Sequence, residues 1–483
     1  MKHPSLYNSF FILGIKGVAM TNIAVILKKM GKKITGFDSE EKFITDPVLK
    51  ENNITFSISY SNVFNHQLSD VYIYSAAHNG SDNPIIKQAL QAGKIAISQA
   101  EFIEKIREAF PISIAVSGCH GKTTTSSLLA YSLIKLKVNP SYIIGTTSFQ
   151  RICGGDYQKE SDYFVFEADE YGIQPPKDIR SKLLMYNPKY IICTNIDFDH
   201  PDVYKDIEEV KKTFLTFFSD KKLFLCADDL HIQSLLPKLK KNQYKTFGFS
   251  ENSDLILTPA TSNESITTFY ASYLGKSLGV FSTSLFGNKN ISNAGGVILT
   301  LLELGFSEEQ VKKAIKTFGS VKRRFEFIYK NNDIYIFDDY AHHPAEIDAT
   351  IQAIRNRFKL KRIIILFQPH TFSRTESFKK SLILSLSKAN ITYVAPIFPS
   401  ARENINNFTI NSDILKKEVE LLGLSNVVIC DSNEEIINKL TLQLCPKDIV
   451  VTMGAGDIYK LKDDIIELIN SNENRADKNT KKY

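Results

Sequence analysis

The sequence has no apolar run approaching the ~18 residues that a membrane-spanning helix needs, which gives no reason to expect insertion into a bilayer. The opening "MKHPSLYNSFFILGIKG" holds only a short apolar run that passes into a strand–glycine–helix pattern. Cysteine is sparse and scattered: Cys119, Cys153, Cys193, Cys226, Cys430 and Cys445 form no C-x-x-C pair and show no zinc-ligand spacing. They read as reduced thiols, and the expectation is a soluble, cytoplasmic protein. Charge imbalance is small, +6 over 483 residues, so no nucleic-acid partner is implied. Repeats of solenoid period are absent. What remains is an ordinary globular composition on a chain long enough for about three domains.

Apolar runs alternate with amphipathic helical segments, which predicts an α/β fold with mainly parallel sheets. Three units emerge, 1–108, 109–318 and 319–470, followed by a polar tail, 471–483. Pro111 lies near the first boundary, and the third unit begins around "FGSVKRRFEFI". The first unit opens as strand, Gly14 turn, helix, and a second strand ending at Asp38, the order of a nucleotide-binding βαβ unit. The dinucleotide pattern G-x-G-x-x-G is broken, with Lys16 and Ala19 where glycines belong. A nicotinamide-dependent oxidoreductase is thereby disfavoured.

The second unit opens on "ISIAVSGCHGKTTTSSLLAYSLIKL", a strand, a glycine turn and a helix. A helix that starts directly after such a turn presents unpartnered N–H groups and the positive end of its dipole, which suits phosphate. The P-loop spacing G-x-x-x-x-G-K-[ST] is met at Gly121, Lys122 and Thr123, but its first glycine would fall at Val116, and Gly118 comes two residues later. Three threonines could equally be plain helix caps. The strand-to-helix setting favours phosphate, with Lys122 on the outer phosphates and Thr123 on Mg²⁺.

Ligands of open α/β sheets gather beyond the carboxyl ends of the strands. Polar clusters recur there: Glu167 to Glu170 after "DYFVF", Asn195 to His200 after "YIICT", Asp338 to His343 after "IYIF", and Gln368 to Arg374 after "IIILF". Carboxylates and a histidine beside a phosphate cradle fit a magnesium–nucleotide site, because hard cations take oxygen ligands. Taken together the clusters point to an ATP-using enzyme. His342 and His343 do not read as zinc ligands, since adjacent residues of a helix point apart.

The motifs "GCHGKTTT", "EADEY", "TNIDFDHPDVY", "GNKNISNA", "VKRRFE", "DDYAHHPAEI", "FQPHTFSRT" and "MGAGDI" occur in an order and spacing that resembles the Mur ligase family, from about Phe11 to Ile458. The resemblance implies three domains: an N-terminal Rossmann-like domain for a UDP-sugar, a central P-loop ATPase with a mainly parallel sheet, and a C-terminal Rossmann-like domain. Within the family the motifs look most like the branch that joins L-alanine to UDP-N-acetylmuramate. It further implies ATP and Mg²⁺, with no nucleic acid, no membrane insertion, and a monomer or homodimer. Carried onto matching positions, Lys122, Glu167, His200, His343 and Arg374 are the expected catalytic residues. Gly118, His120, Gly121, Lys122, Thr123, Thr124, Asn290, Asn293, Arg324 and Asp339 are expected around ATP, and Thr123, Glu167 and His200 around the metal. Gly14, Gly17, Asp38 and Asn195 are expected to serve the UDP-sugar. His343 and Arg374 fall where the family receives the incoming amino acid.

Some positions depart from the family pattern. Lys16 interrupts the first glycine loop, either touching a diphosphate or standing exposed, and Lys289 replaces a histidine before Asn290. The segment "GIQPPKDIRSKLLMYNPK", with Arg180, Ser181 and Lys182, is similar to the branch that reattaches a recycled tripeptide, the alternative reading. A nucleotide-binding switch without ligation is a third, and the polar clusters of the third unit argue against it.

Overall fold

In the computed structural model, which describes residues 1–59, 69–262, 266–319, 321–331, 333–399, 403, 406 and 408–470, Ser9–Leu13 is the first strand. The expected tail, 471–483, lies outside the described residues. Phe10, Ile12 and Leu13 are buried, and the strand ends where Gly14 turns with φ of 76° into the helix Val18–Lys29. Four parallel strands form this sheet in the order Lys33–Phe37, Ser9–Leu13, Val71–Tyr74, Ile95–Ser98. The chain leaves Ser9–Leu13 toward one side and later returns to its other side, so a switch-point crevice opens between Ser9–Leu13 and Val71–Tyr74.

Ten strands make the second sheet among the described residues. Its middle is parallel: Ile112–Ser117 lies between Tyr163–Glu167 and Tyr190–Cys193. Antiparallel pairs occupy its edges, Ile152–Asp156 on one side and Leu255–Ser262 with Thr267–Tyr273 and Lys276–Thr283 on the other. Apolar residues on both faces of Ile112–Ser117 allow it to be a central strand, and the helix that follows, Lys122–Lys135, is buried along most of its length. The helix Asn288–Glu303 packs nearby through Gly295 and Gly296, where a Cβ would stand 2.5 Å from Leu257 and 3.0 Å from Ile192. Those glycines bring the helix down onto the sheet, and Asn293 in its second turn lies against Gly121. These two sheets belong to one compact unit, Met1–Val321.

A second unit begins at Lys322. Its six strands run Glu326–Asn331, Ile334–Asp339, Asp448–Met453, Arg362–Phe367, Ile391–Val394, Val427–Ile429, parallel except for the first pair. Separate apolar clusters line its two faces, one with Phe337, Ile365 and Val451 and the other with Ile336, Ile364 and Val450, the period-two alternation of a sheet covered on both sides. Both units therefore have the expected α/β architecture. No helix among the described residues is long and apolar enough to cross a membrane.

Candidate active site

The turn Gly118–Gly121 joins Ile112–Ser117 to the helix Lys122–Lys135 and requires glycine at both ends, with φ of 121° at Gly118 and 83° at Gly121. A Cβ at Gly118 would stand 2.4 Å from the Thr194 hydroxyl, and one at Gly121 would stand 2.7 Å from the Asn293 side chain. The helix has no side-chain cap, so its opening N–H groups face the turn. Thr124 is buried in that first turn. Behind the loop, Asn195 makes a two-point clamp: its Oδ1 accepts from the His120 N–H at 3.0 Å, and its Nδ2 donates to the His120 carbonyl at 2.8 Å. Asn195, grouped by sequence with the UDP-sugar residues, is thus placed against the phosphate loop and has both polar atoms engaged there.

Lys122 folds back over the loop. Its ammonium donates to the Gly118 carbonyl at 2.6 Å and to Glu170 at 2.8 Å. Glu170 is 1% exposed, and its other oxygen is 3.3 Å from the His200 ring. Asp169 is 2.9 Å from Lys182 and 4.0 Å from Lys122. Burial opposes the charges of Lys122, Asp169 and Glu170, but the opposite charges outweigh it. Glu170 and Asp169 hold the Lys122 ammonium above the usual lysine range. In return, Lys182 and Lys122 depress Asp169, and Lys122 with His200 depresses Glu170.

Glu167, the last residue of its strand, accepts from the Thr123 hydroxyl at 3.2 Å, the Ser126 hydroxyl at 3.1 Å and the Gly145 N–H at 2.7 Å. Ligand atoms of Asp169, Glu170 and His200 lie within 4.8 Å of one another. Hydroxyl and carboxylate oxygens converging beside an anion cradle suit Mg²⁺, a hard cation that keeps several waters and bridges to phosphates. Asn293 donates to Asn290 at 3.1 Å, and Asn290 donates to the Phe286 carbonyl at 2.8 Å. Lys289 is exposed.

At the first sheet, Asp38 lies behind the glycine loop, accepting from the Lys16 N–H at 2.6 Å and the Ser39 N–H at 2.8 Å. Gly17 caps the helix Val18–Lys29 without a side-chain bond. Lys16 does not stand exposed. It is 4% exposed, and its ammonium donates to the carbonyls of Ser39 at 2.9 Å and Glu41 at 2.6 Å.

The second unit gathers its predicted residues at the carboxyl ends of two strands. Asp339 ends Ile334–Asp339 and accepts from the Ala341 N–H at 3.0 Å and the Thr350 hydroxyl at 2.7 Å. Burial nevertheless pushes its carboxyl up to about 6. Arg324 lies over the Tyr340 ring, 4.9 Å from its centroid, while neighbouring Arg323 is buried against Asp338 and donates to the Gly454 carbonyl at 2.6 Å. His343 caps the helix Pro344–Arg357 in a reciprocal box with Glu346, and Arg374 sits in the first turn of Phe372–Leu386.

Within the cluster Glu167 to Glu170 the sequence assigned an individual role to Glu167 alone, and the fold places Glu170 between Lys122 and His200. The signal was present as consecutive acids, but only the path of the chain after the strand decides which carboxylate turns inward. Lys182 was noticed only as part of a segment, and its partner Asp169 was not identified.

Residues 10–111 match the Mur ligase family catalytic domain, 116–301 the Mur ligase middle domain, and 323–456 the Mur ligase glutamate ligase domain. The chain is 35% identical to the UDP-N-acetylmuramate--L-alanine ligase of Desulfitobacterium hafniense, over 94% of this chain and 98% of that protein. It is 34% identical to the UDP-N-acetylmuramate--L-alanine ligase of Lactobacillus acidophilus, over 95% and 98%. Its fold is similar to the crystal structure of the UDP-N-acetylmuramate-alanine ligase MurC of Thermotoga maritima, with a TM-score of 0.79 and 22% identity over 96% of this chain and 99% of that one.

Proposed function

We infer the activity from the premise that this chain belongs to the Mur ligase family: it joins L-alanine to the lactyl carboxylate of UDP-N-acetylmuramate at the expense of ATP, a step in making peptidoglycan precursors. The observation that carries this reading is the end-to-end likeness to L-alanine ligases at 35% identity. The three expected domains, 1–108, 109–318 and 319–470, take the nucleotide-sugar, ATP and the amino acid in this account. ATP and nucleotide-sugars are made in the cytoplasm, and the reaction is placed there.

A free carboxylate is a poor acyl donor because its leaving group would be an oxide. Attack of the lactyl carboxylate on the γ-phosphorus of ATP gives an acyl phosphate and ADP, and the neutral amine of L-alanine then attacks the acyl carbon and expels phosphate. Phosphoryl transfer of this kind relies on positioning and on neutralising charge. The N–H groups of the turn Gly118–Gly121 and the helix start would hold the phosphates. Lys122, already charged and close to Glu170, needs only to exchange that carboxylate for a phosphate oxygen. Thr123 and Glu167, with Glu170 and His200 near them, would hold Mg²⁺, which supplies further positive charge when bound. Asn290 and Asn293 are assigned to the adenine side, Asp339 and Arg324 to ATP, and His343 and Arg374 to the amino acid, whose carboxylate the guanidinium would bind with charge-assisted bonds.

The Gly172–Gln174 and Asp178–Ser181 hairpin keeps the tripeptide reading in play, because Arg180 faces outward and pairs with Asp178 while Lys182 turns inward to Asp169. Phosphate release from ATP with UDP-N-acetylmuramate separates the two, with L-alanine in one reaction and L-Ala-γ-D-Glu-meso-diaminopimelate in another. Turnover dependent on L-alanine is expected. Turnover with the tripeptide alone would overturn the assignment.

A further inference from the structure

After the strand Val71–Tyr74, three consecutive residues take left-handed backbone, with φ of 54° at His78, 63° at Asn79 and 48° at Gly80. Non-glycine residues persist there only where their surroundings impose it, and such positions concentrate at ligand clamps. The imposing group here is Gln174, in the hairpin that follows the acids of the ATP site. Its Nε2 donates to the Asn79 carbonyl at 3.0 Å and its Oε1 accepts from the Ser81 N–H at 3.0 Å. A Cβ on Gly80 would stand 2.5 Å from Gln174 Cδ, so the amide is pressed onto the bare glycine. Lys177 adds bonds to Ser81 at 3.1 Å and Asp82 at 2.8 Å, and Asn83 donates to the His78 carbonyl at 2.9 Å.

The clamp has one outcome of chemical interest, the placement of the His78 ring. Its Nε2 stands 3.1 Å from Asp38 Oδ1, it meets the Phe37 ring in a T-shaped contact, and its Cδ2 is 3.4 Å from where a Cβ on Gly14 would be. The ring thus reaches from the end of Val71–Tyr74 over Gly14 to Asp38, at the switch-point crevice of the first sheet, where the chain enters the helix Val18–Lys29, whose N-terminus has no side-chain cap. Its side chain is 22% exposed. Lys16, the cation that the sequence offered to this crevice, is turned away onto the carbonyls of Ser39 and Glu41.

We propose that His78 binds the diphosphate of the nucleotide-sugar, with Asp38 orienting its ring and Gln174 holding its loop. The inference rests on the nucleotide-sugar reading above. Asp38 takes the Nε2 side of the ring, and Nδ1 is left to face a phosphate oxygen, to which an N–H there would donate. Asp38 thereby acts through the histidine, as a positioning residue. The stretch of chain that supplies Glu170 to Lys122 also fixes His78 through Gln174, so one hairpin serves both substrates.

The test uses the full chain and His78→Asn, because asparagine accepts left-handed backbone and is too short to reach the crevice. UDP and uridine are titrated by ligand-observed NMR against wild type and variant, with melting temperature and KM for ATP measured in parallel. The expected result is UDP binding weakened about tenfold or more, with uridine binding, melting temperature and KM for ATP unchanged. His78→Gln, which keeps a donor of similar reach, should recover part of the loss. Equal UDP binding by wild type and His78→Asn would overturn the proposal, as would a parallel loss of UDP and uridine, which marks a purely structural role. A wild-type chain that binds neither UDP nor UDP-N-acetylmuramate would instead overturn the nucleotide-sugar reading itself.

Discussion

The Lys122 ammonium lies 2.8 Å from Glu170, and the same carboxylate group faces the His200 ring at 3.3 Å through its other oxygen. A buried lysine keeps its charge only while a buried acid answers it. Glu170→Gln preserves shape and removes that answer, and breaking a buried pair from one side costs about 3–5 kcal/mol. Urea denaturation should register that loss. Phosphate release at neutral pH should fall by more than about tenfold, since each 1.4 kcal/mol of lost transition-state stabilisation is a factor of ten.

Asn195 is 4% exposed and satisfies both backbone polar groups of His120. Asn195→Ala takes that partner from the buried His120 N–H, at about 1–3 kcal/mol if no water enters, while the Thr194 hydroxyl still donates to the His120 carbonyl at 2.6 Å. The loop should loosen, raising KM for ATP several-fold while KM for L-alanine stays within error. Steady-state kinetics with each substrate varied in turn checks the split.

Thr123 donates to Glu167 at 3.2 Å. Thr123→Val is close in shape and lacks the hydroxyl, so the proposed magnesium position loses one oxygen ligand. The magnesium concentration for half-maximal rate should rise by about tenfold, the scale of one charged hydrogen bond. An unchanged magnesium titration would remove Thr123 from the metal.

Asp339 should make the second unit less stable at neutral pH than in mild acid. Its ordinary value is 3.8 and burial raises it to about 6, so between these the folded state holds a proton that the unfolded chain has released. Stability from this group falls as pH rises through that window and is flat above it. Asp339→Asn, which can still bond to Ala341 and Thr350, should therefore stabilise the protein by about 1–3 kcal/mol at pH 7.5 or so. The gain should shrink toward zero near pH 4, as read from paired melting curves.

Much of the architecture was legible because its signals are local. Ile112–Ser117 is mostly apolar, with Ile112, Ile114, Ala115 and Val116, Gly118 and Gly121 punctuate its end, and Thr123 follows a lysine, so strand, turn and helix could be placed from neighbours alone. The polar clusters were legible for a similar reason, since parallel strands deliver their loops to one end. What could not be read depends on residues distant in the chain. Lys16 looks like an exposed or ligand-facing cation until the fold brings Ser39 and Glu41 over it. Nothing near Asn195 in sequence points to its clamp on His120, and nothing near Gln174 points to a loop ending at Asp82.

The most direct test of the account follows one oxygen atom. UDP-N-acetylmuramate carrying ¹⁸O in its lactyl carboxylate is incubated with ATP, Mg²⁺ and L-alanine, and the released phosphate is analysed by mass spectrometry beside a Lys122→Ala control. The account predicts one ¹⁸O in each phosphate, matched by an equal amount of alanyl product, with both lost in the control. Phosphate free of label would mean that water and not the carboxylate attacks ATP, and would contradict ligation through an acyl phosphate.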